Sequence, residues 1–380
     1  MNEAVSARDA DLRALPRDGM VASMSANAAR VPSLDGLRAV SILLVLFSHF
    51  VSPRWIPGGL GVLVFFVISG FLISRLMFAE WGATGSLSIG GFYWRRFWRL
   101  YPAVVAYCVA VLADRFISGR PVTLLEPLSV LLYFTNILYI SRELHGALQQ
   151  MPFGIFWSLS VEEHFYWIFP IVFAVMAKGR AAWLTTAMIA VCMLCLVLRA
   201  ILLLTWPQLA DTTVIYWSDL RLDSIAFGVL ISSLSETVAG RRVLAELTAP
   251  RCVAVSVLGL AVALGYRNPF FRETVRYSIE GAAVSVMLAA TLFSPRYLWL
   301  QRVLNWGPLM WIGVLSYSLY VWHPLAAILA ERAFPFLAGP GRICAAMAAS
   351  FLAATGSYYL IEAPIRGRFA GSGRAVEQGR

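Results

Sequence analysis

Apolar runs separated by short polar or basic connections dominate the chain. They fall at about 36–51, 59–79, 101–118, 124–140, 156–177, 182–205, 221–235, 251–266, 278–294, 308–330 and 341–361. Runs of this kind predict helices rather than half-buried strands, and a perpendicular bilayer crossing needs ~20 residues, which several fall short of. The fold class that follows is all-α, a polytopic transmembrane helical bundle.

Arginine placement tests the number of crossings. Arg8, Arg13, Arg17 and Arg30 put the N-terminal tail (1–33) inside, and Arg95, Arg96 and Arg99 do the same for the second connection. Arg241–Arg242, Arg296–Arg302, the Lys178–Arg180 turn and the C-terminal tail with Arg366, Arg368, Arg374 and Arg380 also read as inside. The stretch 206–220, with two Asp and no Lys or Arg, falls outside. About ten spanning helices with both termini cytoplasmic satisfy every basic loop except 267–276. One segment between 101 and 155 is then re-entrant or interfacial. The expected organisation is a polar tail (1–33), a membrane-embedded domain (34–366) and a basic tail (367–380). No signal peptide and no appended soluble domain are expected.

Composition agrees with a membrane protein: 59% hydrophobic and 14% charged residues, against about a quarter charged in soluble domains. The net charge of +10 is explained by topology-setting arginines, so nucleic acid is not an expected partner, whereas membrane lipids are. The cysteines (Cys108, Cys192, Cys195, Cys252, Cys344) lie in or beside apolar runs, and four histidines without a thiolate cluster make no metal site.

The candidate chemistry lies inside the apolar runs. LDGLRAVSILLVLFSH (34–49) carries Arg38 and His49 with ten residues between them. On a helix, eleven steps of 100° return to within about 20° of the same face, roughly 16 Å further on. Ionisable groups so placed suggest a functional site, with a snorkelling Arg and an interfacial His as the plainer reading. FFVISGFLIS (65–74) places Ser69 and Gly70 mid-membrane for close helix packing, and Gly58, Gly59 and Gly61 just before it are the positions that could leave backbone open beside a ligand. In FYWRRFWRLYP (92–102), Arg96 and Arg99 are one turn apart among aromatics and are followed by Pro102, which should stop the helix. Either a surface amphipathic helix or a phosphate clamp fits that pattern.

WSLSVEEHFYWIFP (157–170) buries Glu162 and Glu163 beside His164. A carboxylate there needs a partner, with Arg38, Arg221 and His49 as candidates for Glu162. Ser158 shares the Glu162 face, and Glu163 points about 100° away. In RLDSIAFG (221–228), Arg221 and Asp223 do not face each other, so each pairs elsewhere. SYSLYVWHP (316–324) sets Tyr317, Tyr320 and His323 on one stripe, and IEAPIR (361–366) closes the last segment.

Together these motifs resemble the acyltransferase 3 family of integral membrane O-acyltransferases, over residues 34 to about 366. Arg38-x10-His49 matches the family's defining motif, and the other six follow in the family's order. His164 departs from the family pattern, where Gln is commoner. The resemblance implies transfer of an acyl group, most often acetyl, from cytoplasmic acyl-coenzyme A to a hydroxyl of an extracytoplasmic carbohydrate. Cell-surface polysaccharide, lipopolysaccharide and lipo-oligosaccharide all fit as acceptors, and the bacterial cytoplasmic (inner) membrane is the expected location. Acyl-coenzyme A is then a donor substrate, not a resident cofactor. His49 is the expected base, with Arg38 and Glu162 also catalytic, and Arg96, Arg99 and Arg38 hold the donor. Ser158, Glu163, Arg221, Tyr317 and His323 are the candidate substrate-binding residues. The alternative is a proton-coupled transporter or flippase using the same buried charges. Loops 142–155 and 206–220 are the expected acceptor-selecting segments.

Overall fold

The computed structural model describes residues 31, 33–52, 56–121, 123–145, 153–176, 181–209 and 214–370. The expectations for the outer parts of both tails and for the Lys178–Arg180 turn lie outside these residues, as do parts of loops 142–155 and 206–220. All regular structure among the described residues is helical. Sixteen α-helices are described, in chain order α1 (Leu34–Phe50), α2 (Gly58–Thr84), α3 (Ile89–Ile117), α4 (Leu125–Leu131), α5 (Thr135–Leu144), α6 (Trp157–Met176), α7 (Ala181–Thr205), α8 (Leu222–Ser235), α9 (Val238–Leu247), α10 (Pro250–Gly265), α11 (Pro269–Glu273), α12 (Val275–Phe293), α13 (Leu298–Leu304), α14 (Gly307–Ala333), α15 (Gly339–Ser357) and α16 (Ala363–Ala370).

Seven helical stretches are long and apolar enough to cross a membrane, or eight if the bent pair α8–α9 counts as one. The sequence reading of about ten exceeds this count because α1 has only 17 residues and α10 only 16. Both fall short of the ~20 that a perpendicular crossing needs.

At the centre, α1 packs between α14 and α2, α8 lies against α2 and α7, and α15 covers α14. The α2–α8 crossing explains Gly70. A Cβ there would land on the Ile225 carbonyl oxygen, and one at Gly228 would land on that of Val67. Close packing is the role of this glycine, as expected.

Two sequence expectations change. Pro102 does not stop a helix: α3 runs unbroken from Ile89 to Ile117, so the 92–102 stretch forms the first half of a bundle helix. Proline is tolerated in such helices because neighbouring groups re-satisfy the freed carbonyl. The apolar run at 124–140 is broken into α4 and α5, of 7 and 10 residues, each too short to cross. They form a hairpin beside α3. At its base Glu126 binds Arg115 (3.4 Å) and Arg142 (2.7 Å), and near its tip the Leu131 carbonyl accepts from Tyr101 Oη (3.1 Å). Tyr101 and Arg115 are 14 residues apart on α3, about 21 Å of rise. Glu126 and Leu131 are only five residues apart, so the long Arg115 and Tyr101 side chains converge on the hairpin from either end, and it turns back at Tyr133, whose φ of 56° opens the turn.

Candidate active site

Antiparallel pairing of α3 with α6 sets the depth of the polar groups. Tyr93 Oη donates to the Trp167 carbonyl (2.8 Å), Arg96 meets Glu163, and Tyr107 packs on Phe153 and Phe156. Three polar clusters result.

In the first, Arg96 Nε donates to Glu163 Oε1 at 2.7 Å, and its Nη2 stands 3.9 Å from Glu162 Oε2. The guanidinium also lies 3.3 Å from the centre of the Tyr166 ring. The Ser69 hydroxyl is placed against Glu162, with Arg38 in electrostatic range. The main partner of both acids is thus Arg96; of the candidates named for Glu162, only Arg38 is in this cluster. Arg99 on the next turn is surrounded by the cations Arg38, Arg96 and Arg366. Arg38 Nε is buried without a hydrogen-bond partner. Four guanidinium groups gather here as a basin with Glu162 and Glu163, while Asp35 stands in electrostatic range of Arg38 and Glu362 in range of Arg99 and Arg366. Such a surface fits the phosphates of a nucleotide-bearing donor, because guanidinium forks match phosphate oxygens.

The second cluster lies at the far end of α1. Eleven residues separate Arg38 from His49, roughly 16 Å along the axis. His49 Nδ1 is 2.8 Å from His323 Nε2, with the ring centres 5.0 Å apart and the two planes within 15° of each other, so the nitrogens meet edge to edge. His49 is exposed, whereas His323 is 1% exposed. The other nitrogen of His323, Nδ1, faces the carbonyls of Tyr320 (2.9 Å) and Leu319 (3.1 Å). Next to it, Tyr320 Oη donates to the Ile155 carbonyl (2.7 Å) and is 2.6 Å from Ser158 Oγ. The stripe on α14 is therefore divided. His323 reaches His49 and Tyr320 reaches Ser158, while Tyr317 donates to the Leu100 carbonyl (2.8 Å) and ties α14 to α3.

The third cluster joins α7, α8 and α12. Arg199 Nη2 pairs with Asp223 Oδ2 at 2.7 Å, both residues fully buried, and donates to Ser278 Oγ, while Nη1 donates to the Leu220 carbonyl. Arg221 stacks 3.9 Å over the Tyr277 ring. Arg221 is thus placed with this cluster and not with Glu162. Arg199 was missed in the sequence, although a lone Arg inside an apolar run was a visible signal. His164 Nδ1 meets Ser218 Oγ (2.7 Å), which also accepts from Asn136 (2.9 Å), so His164 links α6 to α5 and the 214–221 segment.

Glu362 belongs to the packing of the last helices. Its Oε1 accepts from Ser318 (2.6 Å) and Ser357 (2.8 Å), inside a π-helical turn at Tyr358–Glu362. Beyond that turn Phe369 stacks on Trp98 at 3.9 Å, which brings Arg366 beside the arginine basin. Among the described residues no three His, Cys, Asp or Glu side chains come together as metal ligands.

A family model described as an acyltransferase domain matches residues 31–362. The chain is 29% identical over 356 residues to a peptidoglycan O-acetyltransferase, OatA, of Listeria monocytogenes, covering 88% of this chain and 56% of that protein. It is 28% identical to the O-acetyltransferase OatA of Staphylococcus aureus (strain NCTC 8325), covering 77% of this chain and 50% of that protein. A putative O-acetyltransferase of Staphylococcus aureus (strain COL) is 26% identical, with 77% and 50% covered. The chain thus spans about half the length of the curated relatives it matches. No solved structure matches.

Proposed function

Because the chain belongs to the acyltransferase family, whose model spans residues 31–362, we propose that it is a membrane O-acetyltransferase acting on a cell-envelope carbohydrate. The relatives' names support the acetyl group and the carbohydrate acceptor. The donor in this reading is cytoplasmic acetyl-coenzyme A. The observation that carries it is α1 itself, which holds Arg38 at the arginine basin and His49 against His323.

Arg38, Arg96 and Arg99, joined by Arg366, hold the phosphates of the donor, and its long arm runs along α1 towards His49. His49 takes the proton from the acceptor hydroxyl as its oxygen attacks the thioester carbonyl. The C–O bond forms, the C–S bond breaks, and the proton passes from His49 to the departing thiolate. Glu162 fixes Arg96 and Arg38 rather than touching the acyl group. In this topology α1, α8 and α10 also cross, which gives ten crossings with the arginine basin and both termini facing the cytoplasm. The α4–α5 hairpin then enters and leaves at the opposite face.

The test is transfer of labelled acetyl from acetyl-coenzyme A to cell-envelope glycans by the full chain in lipid vesicles, wild type beside His49→Ala. Label entering glycan with wild type only is the expected result. No binding of coenzyme A and no transfer would overturn the reading and favour a transporter.

A further inference from the structure

The His49–His323 contact constrains where the protons sit. His323 Nδ1 faces two backbone carbonyl oxygens, at 2.9 and 3.1 Å, and carbonyls only accept. That nitrogen therefore carries a hydrogen. A neutral imidazole has one N–H, so His323 Nε2 holds a lone pair. Across the 2.8 Å contact the partner atom must then donate, which puts the hydrogen of His49 on Nδ1. The remaining His49 nitrogen, Nε2, is left with a lone pair on the exposed side chain.

The other assignments fail on simple grounds. Two lone pairs 2.8 Å apart repel. A doubly protonated His323 would be a cation at 1% exposure, with no carboxylate pairing with either ring among the described residues.

We infer that His323 is a positioning residue, which holds His49 as its Nδ1–H tautomer and so makes Nε2 the atom that takes the acceptor's proton. This rests on the reading of His49 as the base. The chain from the backbone carbonyls through His323 to His49 works without a carboxylate. It is neutral at rest, which suits the buried His323 ring. When Nε2 is protonated, the Nδ1–H bond to His323 becomes charge-assisted and shortens, which stabilises the imidazolium while it exists. The proton leaves again with the thiolate, so the pair returns to its starting tautomers after each turnover.

The experiment compares His323→Gln, His323→Asn and His323→Phe in the full chain reconstituted in lipid. A Gln amide oxygen reaches the position of the missing Nε2, whereas an Asn amide falls short and Phe offers no acceptor. The expected result is that His323→Asn and His323→Phe lose on the order of 10²-fold in kcat, with KM for acetyl-coenzyme A unchanged, and that His323→Gln recovers to within about tenfold of wild type. With four histidines in the chain, nitrogen-15 spectra of histidine-labelled protein can report the tautomer directly. His49 should read as Nδ1–H in wild type and His323→Gln, and should lose that preference in His323→Phe. Wild-type kcat in His323→Phe, equal losses in the Gln and Phe variants, or an Nε2–H His49 in wild type would each overturn the inference. If His49→Ala also retains activity, the base assignment itself fails; if His49→Ala is dead while His323→Phe is fully active, only the positioning role fails.

Discussion

Arg96 holds two neighbouring carboxylates at once, Glu163 by a 2.7 Å hydrogen bond and Glu162 at 3.9 Å. Adjacent helical positions point about 100° apart, so only a group lying between the two directions can serve both.

That asymmetry separates the two acids. Glu163→Gln removes the direct partner of a largely buried guanidinium and should destabilise the protein by about 3 kcal/mol, whereas Glu162→Gln should cost less stability and more activity. Melting curves in detergent beside turnover in vesicles measure both. A larger loss of melting temperature in Glu162→Gln would show that the longer contact is the structural one.

Arg99 is repelled by Arg38, Arg96 and Arg366, which outnumber the one opposing charge of Glu362 in its range. Arg99→Ala should therefore leave the melting temperature unchanged or raised, while weakening coenzyme A binding by roughly tenfold, the loss of one charge-assisted contact. Calorimetry at two salt concentrations checks it, since the wild type should show the steeper salt dependence.

The α2–α8 crossing has no room for a methyl group. Gly70→Ala and Gly228→Ala should each lower stability by about 1–3 kcal/mol through helix separation. Because both open the same crossing, the double variant should fall short of the sum. Additive losses in chemical denaturation would mean that the two contacts are independent.

Outside the crossing helices, burial pushes the Glu143 carboxyl above its ordinary range, and its Oε2 has no hydrogen-bond partner. A raised folded-state value favours the protonated form in the fold. Its stabilising effect is present below the unfolded value of about 4.3 and is lost as pH rises through the raised folded value. Glu143→Gln should therefore be more stable than wild type at neutral pH, and the advantage should vanish in acid. Melting temperatures measured across that range decide it.

The single-helix relationships were legible in the sequence. Arg38 and His49 share α1, and helical geometry alone fixes their spacing. Partners across helices were not. His323 lies 274 residues from His49, and nothing in either motif names the other. Glu162 was offered Arg38, Arg221 and His49, yet Arg96 is its ion-pair partner, because which long side chains of α3 reach α6 is fixed by how the surrounding helices pack and not by either motif. Pro102 misled for a related reason: its local veto on helix is overridden where neighbouring helices enclose the backbone. Arg221 and Asp223 do pair elsewhere: Arg221 lies over Tyr277, and Asp223 binds Arg199, unread in its apolar run.

The five-residue turn at Tyr358–Glu362 is wound more loosely than the helices on either side of it. Five residues wound in this way cover nearly the rotation and rise of four in an ordinary helix, so the turn holds one residue to spare. Deleting one residue there should restore ordinary winding and leave Phe369 on Trp98. The same deletion within the helix that follows has no such slack: it turns the later residues by about 100° and takes Phe369 off its partner. A single-codon deletion is therefore tolerated at this turn and not beyond it.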